Sequence, residues 1–469
     1  MLRRLPVIVL LLSTALAAAS ASAASAAVPR IDPIRHSDEL DVVGGPLDVT
    51  IATFGQQEAR LRLYLQTRAP FHVGDLDPAT GRSLCLELYY APVTTLRSRV
   101  CVVPGNGSAA LRYETIDQNG QVSGSRALDT PVNRPDERTV EASFTAVDAD
   151  LPRQKIGWRI ATRWVDGGGC SEMTPCTDLA PDAALFTETL RLVAGPRCLG
   201  AASRDPRRSC VNRNLRYTVF PRHKAAKKIR NAYCDKQARE GTISFCAFGV
   251  TPSRANEKVA LVGDSHAAHW RGALEVVAQS KRWRGLTMMK SGCPLTRAKP
   301  ILPSASETQQ CRIWNDEVQA WFRRHPEVRT VIVAAHRGNT KTSARAGYHA
   351  AWKMLPDSVK RIIVIRGAPV SHVSASCIRR AVIRHKRPGL ACAESTRTSI
   401  RSDPEAAAAR SYGSSRVKVV DLTRYFCGRR VCYPVIGGLL VHKDGVHLTR
   451  VFASTLGPFM LRAVNRATG

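Results

Sequence analysis

Past residue 18 the sequence has no apolar run approaching the ~20 residues that a membrane-spanning helix requires. Acidic residues are scarce, with 38 Asp and Glu against 69 Lys and Arg, for a formal net charge of +31. Nucleic acid is the first partner such a balance suggests. However, the basic residues are mostly Arg, spread along the whole chain, and no basic motif is interleaved with aromatics. Nucleic acid is therefore not expected, whereas attraction to an anionic wall polymer or membrane surface is compatible with the charge. No two close cysteine pairs stand at zinc-ribbon or zinc-finger spacing, so neither a metal nor a cofactor is expected. A long apolar lid segment is also missing, which weighs against a lipase.

What is present begins with an export pattern. Arg3 and Arg4 precede an apolar run from Leu5 to Ala18, and small residues follow, including Ala21-Ser-Ala23 and Ala24-Ser-Ala26. Residues 1–27 are read as a signal peptide, and the mature chain is expected to be soluble and extracytoplasmic. The 14 cysteines then point to disulfides. Their spacing suggests that neighbours pair: Cys85–Cys101, Cys170–Cys176, Cys198–Cys210, Cys234–Cys246, Cys293–Cys311, Cys377–Cys392 and Cys427–Cys432.

Hydrophobic periodicity divides the remainder. Between residues 44 and 195, short runs such as Leu61-Arg-Leu-Tyr-Leu65 and Leu84-Cys-Leu-Glu-Leu-Tyr89 alternate with period two between Gly, Pro, Asn and Asp. That pattern predicts an antiparallel β-sandwich of unassigned role. Trp158 and Trp164 could stack on sugar, though a strand tryptophan more often belongs to the core. Residues 196–250 read as a basic, disulfide-containing linker. Residues 251–469 alternate strand and helix. The apolar runs at 259–262, 286–289, 331–335, 362–365 and 417–420 predict a five-stranded parallel sheet covered on both faces.

The chemistry is expected in that last segment. Val259-Ala-Leu-Val262 ends at Gly263-Asp264, and helical spacing starts at once, leaving Ser265 on the turn between strand and helix. Open α/β sheets keep their sites at this end, and a helix N-terminus favours negative charge. Far downstream, Asp444-Gly-Val-His447 precedes the last helical pattern. It could supply the base and the orienting carboxylate that a serine nucleophile needs. Alone, each block reads as readily as an ordinary turn.

Their order, with the serine block first and Asp-x-x-His last, resembles the SGNH hydrolase family. Ser291-Gly-Cys-Pro294, Cys311 followed by Trp314-Asn315, and Tyr425-Phe-Cys427 with Cys432 sharpen the likeness. So does Cys198-Leu-Gly-Ala-Ala202, followed by Cys210 and Pro221. Together they resemble the extracytoplasmic SGNH domain associated with acyltransferase-three membrane proteins. The resemblance covers about Cys198 to the end.

It implies a three-layer, flavodoxin-like α/β domain, which together with the N-terminal antiparallel β-sandwich read from periodicity makes the expected protein multidomain. It also implies an acyl-serine enzyme with Ser265, His447 and Asp444 as catalytic residues. The oxyanion would be held by the N–H groups of Ser265 and Gly292 and by a third-block side chain. Asn339 is taken for that last place, with His336 as its rival, because Asn339 falls about two residues beyond the family's position. Asp264 is expected to brace the site, and His266 and His269 to lie beside it or at the surface. The activity implied is O-acyl transfer or acetyl-ester hydrolysis on a cell-envelope polysaccharide or other O-acylated glycan. Either a separate membrane acyltransferase supplies the acyl group or water accepts it. The alternative is a non-catalytic glycan-binding or wall-associated protein that retains the fold.

Overall fold

The computed structural model describes residues 32–42, 44–106, 108–208, 210–232 and 237–468. The expected export signal at 1–27, and Cys234 of the expected Cys234–Cys246 pair, lie outside them. The other six expected disulfides are formed. No helix among the described residues is long and apolar enough to cross a membrane.

The alternating runs become strands β1 (Val49–Gln57), β2 (Arg60–Thr67), β3 (Ser83–Tyr89), β4 (Leu96–Gly105), β5 (Ser108–Ile116), β6 (Val122–Leu128), β7 (Thr139–Phe144), β8 (Lys155–Trp164) and β9 (Cys176–Ala180). They build two antiparallel sheets. The five-stranded one runs His36–Ser37, β1, β2, β7, Val132–Asn133, and the seven-stranded one runs β9-β8-β3-β4-β5-β6 with Phe186–Thr189 also on β8. Alternate residues such as Leu61, Leu63 and Leu65 of β2 and Leu84, Leu86 and Leu88 of β3 share one buried core. Trp158 and Trp164 belong to it, at 1% and 9% exposure, so stacking on sugar is not open to them. Cys85 and Cys101 stand directly opposite each other in β3 and β4, which is why their bond crosses the pair.

A single mixed sheet follows. Its strands are β10 (Gln237–Glu240), β11 (Ile243–Gly249), β12 (Glu257–Gly263), β13 (Trp283–Met289), β14 (Val328–Ala334), β15 (Arg361–Ile365) and β16 (Val417–Val420), in the order β10-β11-β13-β12-β14-β15-β16. The last five in that order are parallel, as expected. The sheet is nevertheless seven-stranded, because β10 and β11 add antiparallel strands at one edge. Both come from the stretch read as linker. Ile243 and Phe248 are buried there, while the residues between them are half-exposed, so the apolar signal is weak.

Helices α1 (Ser265–Lys281), α2 (Ala305–Arg324), α3 (Arg345–Lys353), α4 (Pro404–Arg410), α5 (Arg450–Thr455) and α6 (Gly457–Thr468) accompany the sheet. Two separate cores contain residues of these helices. One joins α1, α5 and α6 to the strands, and the other joins α2, α3 and α4 to them. The final helical segment is divided at Leu456 into α5 and α6. Among the parallel strands, β13 and β14 flank β12 on opposite sides, so the winding reverses at β12. Ligands of such sheets bind beyond the carboxyl ends of the strands at this reversal.

Candidate functional site

Gly263 ends β12 with φ +152°, and a Cβ there would lie 2.0 Å from the carbonyl oxygen of Ala334 on β14. Only glycine lets the two strands come so close, and the chain turns at once into α1. Asp264 is the N-cap. Its Oδ1 accepts from the His266 N–H at 2.8 Å, and its backbone carbonyl accepts from Ala267 N–H at 2.9 Å. The first N–H groups of a helix have no partner within it. With those of His266 and Ala267 taken up by Asp264, the Ser265 N–H remains at the helix mouth.

The loop before α5 meets this turn. His447 Nε2 is 2.8 Å from Ser265 Oγ, and His447 Nδ1 is 2.8 Å from Asp444 Oδ2. The other oxygen of Asp444 accepts from the backbone N–H groups of Val446 at 3.3 Å and His447 at 2.8 Å. Burial works against the Asp444 anion, but the hydrogen bonds and charge offered by His447 prevail and hold its carboxyl well below the ordinary carboxylate range. The loop is anchored by Gly445, whose carbonyl accepts from the Ser371 N–H, and by Thr449, whose hydroxyl caps α5.

The loops after β13 and β14 share this edge, since Gly263 pairs with Met289 on one side and Ala334 on the other. Lys290 N–H donates to the Gly263 carbonyl, and Gly292 sits on the turn closed by Cys293 N–H to Lys290 O. On the other side, Asp264 Oδ2 accepts from His336 N–H at 2.7 Å and from Asn339 Nδ2 at 2.6 Å. Asn339 thus joins the site through Asp264, which is fully buried. Burial raises the Asp264 pKa, and the three donors pull it back.

His266 and His269 are not surface residues: they are 4% and 0% exposed. The His266 ring lies 4.9 Å from that of His447 and 4.6 Å from that of His336. Burial, reinforced by the neighbouring imidazoles, holds both pKa values well below the ordinary histidine range, so at neutral pH both are neutral packing groups beneath His447. His442 joins them, 8% exposed, with its pKa pushed down by burial to about 4. Nothing in the sequence around Leu440-Val-His442 marked that residue.

Sequence reasoning also missed a brace from the first part of the chain. The tip of the β1–β2 hairpin rests on the two helices that carry the site. Glu58 Oε1 is 2.7 Å from Arg450 Nε, with side chains 14% and 8% exposed, and Arg450 stands three residues beyond His447. Beside it, Arg60 pairs with Glu275 of α1 at 3.0 Å, and Gln279 Nε2 donates to the Ala59 carbonyl at 2.7 Å. Breaking a buried ion pair from one side costs about 3–5 kcal/mol. Glu58→Ala is therefore expected to lower the stability of the fold by about 3 kcal/mol in urea titrations. The swap Glu58→Arg with Arg450→Glu should recover part of the loss. An unchanged midpoint in Glu58→Ala would show that the brace carries no load.

A search of curated proteins finds no match. Among solved structures, the chain is similar to the periplasmic domain of a lipopolysaccharide acetyltransferase from Salmonella ser. Paratyphi A. The identity is 15% and the TM-score 0.36, over 47% of this chain and 89% of that one. Residues 233–462 match the family model described as SGNH domain (fused to AT3 domains), so this part of the chain is similar to that domain.

Proposed function

We propose that the protein is a secreted serine O-acyltransferase or acetylesterase acting on a cell-envelope glycan through an acyl-serine intermediate. The observation that carries this reading is the unbroken relay from Asp444 through His447 to Ser265, two contacts of 2.8 Å each, ending at a helix N-terminus. The relay suits nucleophilic catalysis because each neighbour supplies what the next group lacks.

In the proposed reaction, Ser265 Oγ attacks the ester carbonyl carbon while its proton passes to His447 Nε2. The carbonyl π pair moves onto oxygen, and the tetrahedral oxyanion is held by the N–H groups of Ser265 and Gly292. The third donor is assigned to the amide hydrogen of Asn339 that Asp264 does not take. Collapse expels the alkoxide, which receives the proton from His447 and leaves an acyl-serine. A sugar hydroxyl or water, deprotonated by the same imidazole, then attacks the acyl-serine carbonyl, and on collapse His447 returns that proton to the departing Ser265 Oγ. Asp444, anionic at neutral pH, fixes the Nδ1–H tautomer and balances the imidazolium. Base assistance of this kind contributes about 10²–10⁴ in rate.

The six disulfides among the described residues support an oxidising, extracytoplasmic setting. The acyl donor there is assigned to a membrane acyltransferase, the partner that SGNH domains of this type have by fusion. The test is p-nitrophenyl acetate turnover with and without de-O-acetylated envelope polysaccharide. Transfer to sugar at the expense of free acetate identifies the transferase, and acetate release alone identifies the esterase. No turnover above that of Ser265→Ala would favour a glycan-binding protein instead.

A further inference from the structure

In a chain with almost twice as many cationic as anionic side chains, five aspartates lie close together, from the segment before β1 and from β9 with the residues that follow it. One carboxylate oxygen from each of Asp41, Asp178 and Asp182 lies within 4.8 Å of the other two. Asp38 and Asp48 are near enough to add to the repulsion felt by Asp178. Among the described residues, the one ion pair made by these five is Arg68 Nη1 with Asp48 Oδ2, at 3.6 Å.

A second observation concerns hydrogen bonding. Asp178 is 3% exposed, and its Oδ2 accepts from the Val49 N–H at 2.6 Å, while Oδ1 is buried without any donor. Asp48, 2% exposed, has Arg68 as its counter-charge, at 3.6 Å. Leaving carboxylate oxygens buried without donors or counter-charge is costly, and buried charges are ordinarily paired or bound to metal.

The arrangement is also held together covalently. The Cys170–Cys176 bond sits against Gly44 and Gly45, and Gly44 approaches the Gly168 carbonyl so closely that a Cβ would lie 2.2 Å from it. This contact pins the segment carrying Asp38, Asp41 and Asp48 against β9, which carries Asp178.

We propose that Asp41, Asp178 and Asp182 form a Ca²⁺ site that fastens residues 38–48 to the end of β9. The ligand chemistry points to a hard cation, since oxygen is the sole donor type and neither His nor Cys takes part. Ca²⁺ holds oxygens at about 2.3–2.6 Å, so opposite ligands of one ion stand about 5 Å apart, which accommodates the observed spacing. Mg²⁺ binds at about 2.0–2.1 Å with strict octahedral geometry and keeps several waters, so a carboxylate-rich protein cage suits it less well. The ion would neutralise the cluster and act as a second staple beside the disulfide. The site is independent of the acyl-transfer reading, as it lies in the other part of the chain.

Calorimetric titration of CaCl₂ into the chelator-treated, disulfide-intact chain tests the proposal. The expected result is one ion per chain with a Kd of about 0.1–1 mM, the range of extracellular calcium modules. Terbium should bind competitively and luminesce by transfer from Trp164, whose ring lies against Gly45. Asp41→Asn and Asp182→Asn alter exposed residues, so folding should persist, and each is expected to weaken binding at least about tenfold. Circular dichroism of the same samples verifies the fold. Absence of saturable binding up to about 10 mM overturns the proposal, as does binding that these substitutions leave unchanged. Equal binding of Mg²⁺ overturns the choice of calcium.

Discussion

Ser265→Ala is expected to lower p-nitrophenyl acetate turnover by about 10⁴–10⁶-fold while leaving the thermal midpoint close to wild type. The size follows from the relay acting as a unit: without Oγ, neither His447 nor Asp444 has a nucleophile to activate. What persists is the contribution of the oxyanion donors and of binding. The unchanged midpoint follows from where the hydroxyl sits. It contacts His447 Nε2 at the rim of the site, on a half-buried residue, and alanine suits the first position of a helix at least as well. Loss of activity together with unfolding would leave the chemistry unassigned to Ser265, so His447→Ala is the companion variant. It should match the Ser265→Ala loss, and the double variant should add little.

Asp264→Ala should have the largest structural effect at the site. This carboxylate has no exposure, and it gathers three donors from the start of α1 and the loop after β14: His266 N–H, His336 N–H and Asn339 Nδ2. Removing it leaves each donor without its acceptor, at about 1–3 kcal/mol apiece, so a loss near 4 kcal/mol or more is expected in denaturant titration. Asp264→Asn separates shape from hydrogen bonding, because its NH₂ group would face donors where an acceptor is needed. It should therefore also be clearly destabilised, despite nearly equal volume. If Asp264→Asn retained full stability and activity, the convergence of donors on this residue would not matter.

These two residues also show what can be read from a sequence and what cannot. Ser265 was legible because the apolar run, the glycine and the immediate onset of helical spacing each force a local geometry, and the same holds for the five parallel strands. The disulfides were legible because cysteines near in sequence were also near in space, as Cys85 and Cys101 are across one strand pair. Strand β6, Val122-Ser-Gly-Ser-Arg-Ala-Leu128, was missed because it is exposed over most of its length and is held as a strand by its backbone pairing to β5. Strands β10 and β11 were missed for a related reason, being peripheral and half-exposed in a basic stretch. The Glu58–Arg450 pair joins residues 392 apart, and the carboxylate cluster draws on segments near residues 41 and 180. No local pattern encodes such meetings; tertiary packing does. Asn339 lies between the two cases. Its residue type was readable, but not that its amide would be turned toward Asp264, because that depends on the backbone path after β14.

In the proposed mechanism Ser265 is a nucleophile activated by His447. Mass spectrometry after incubation with a fluorophosphonate tests it most directly, because the reagent forms a stable bond with an activated serine and needs no knowledge of the natural substrate. One adduct is expected on the peptide containing Ser265, absent in Ser265→Ala and strongly slowed in His447→Ala. An unlabelled Ser265 in a folded protein, or labelling indifferent to His447, would contradict it.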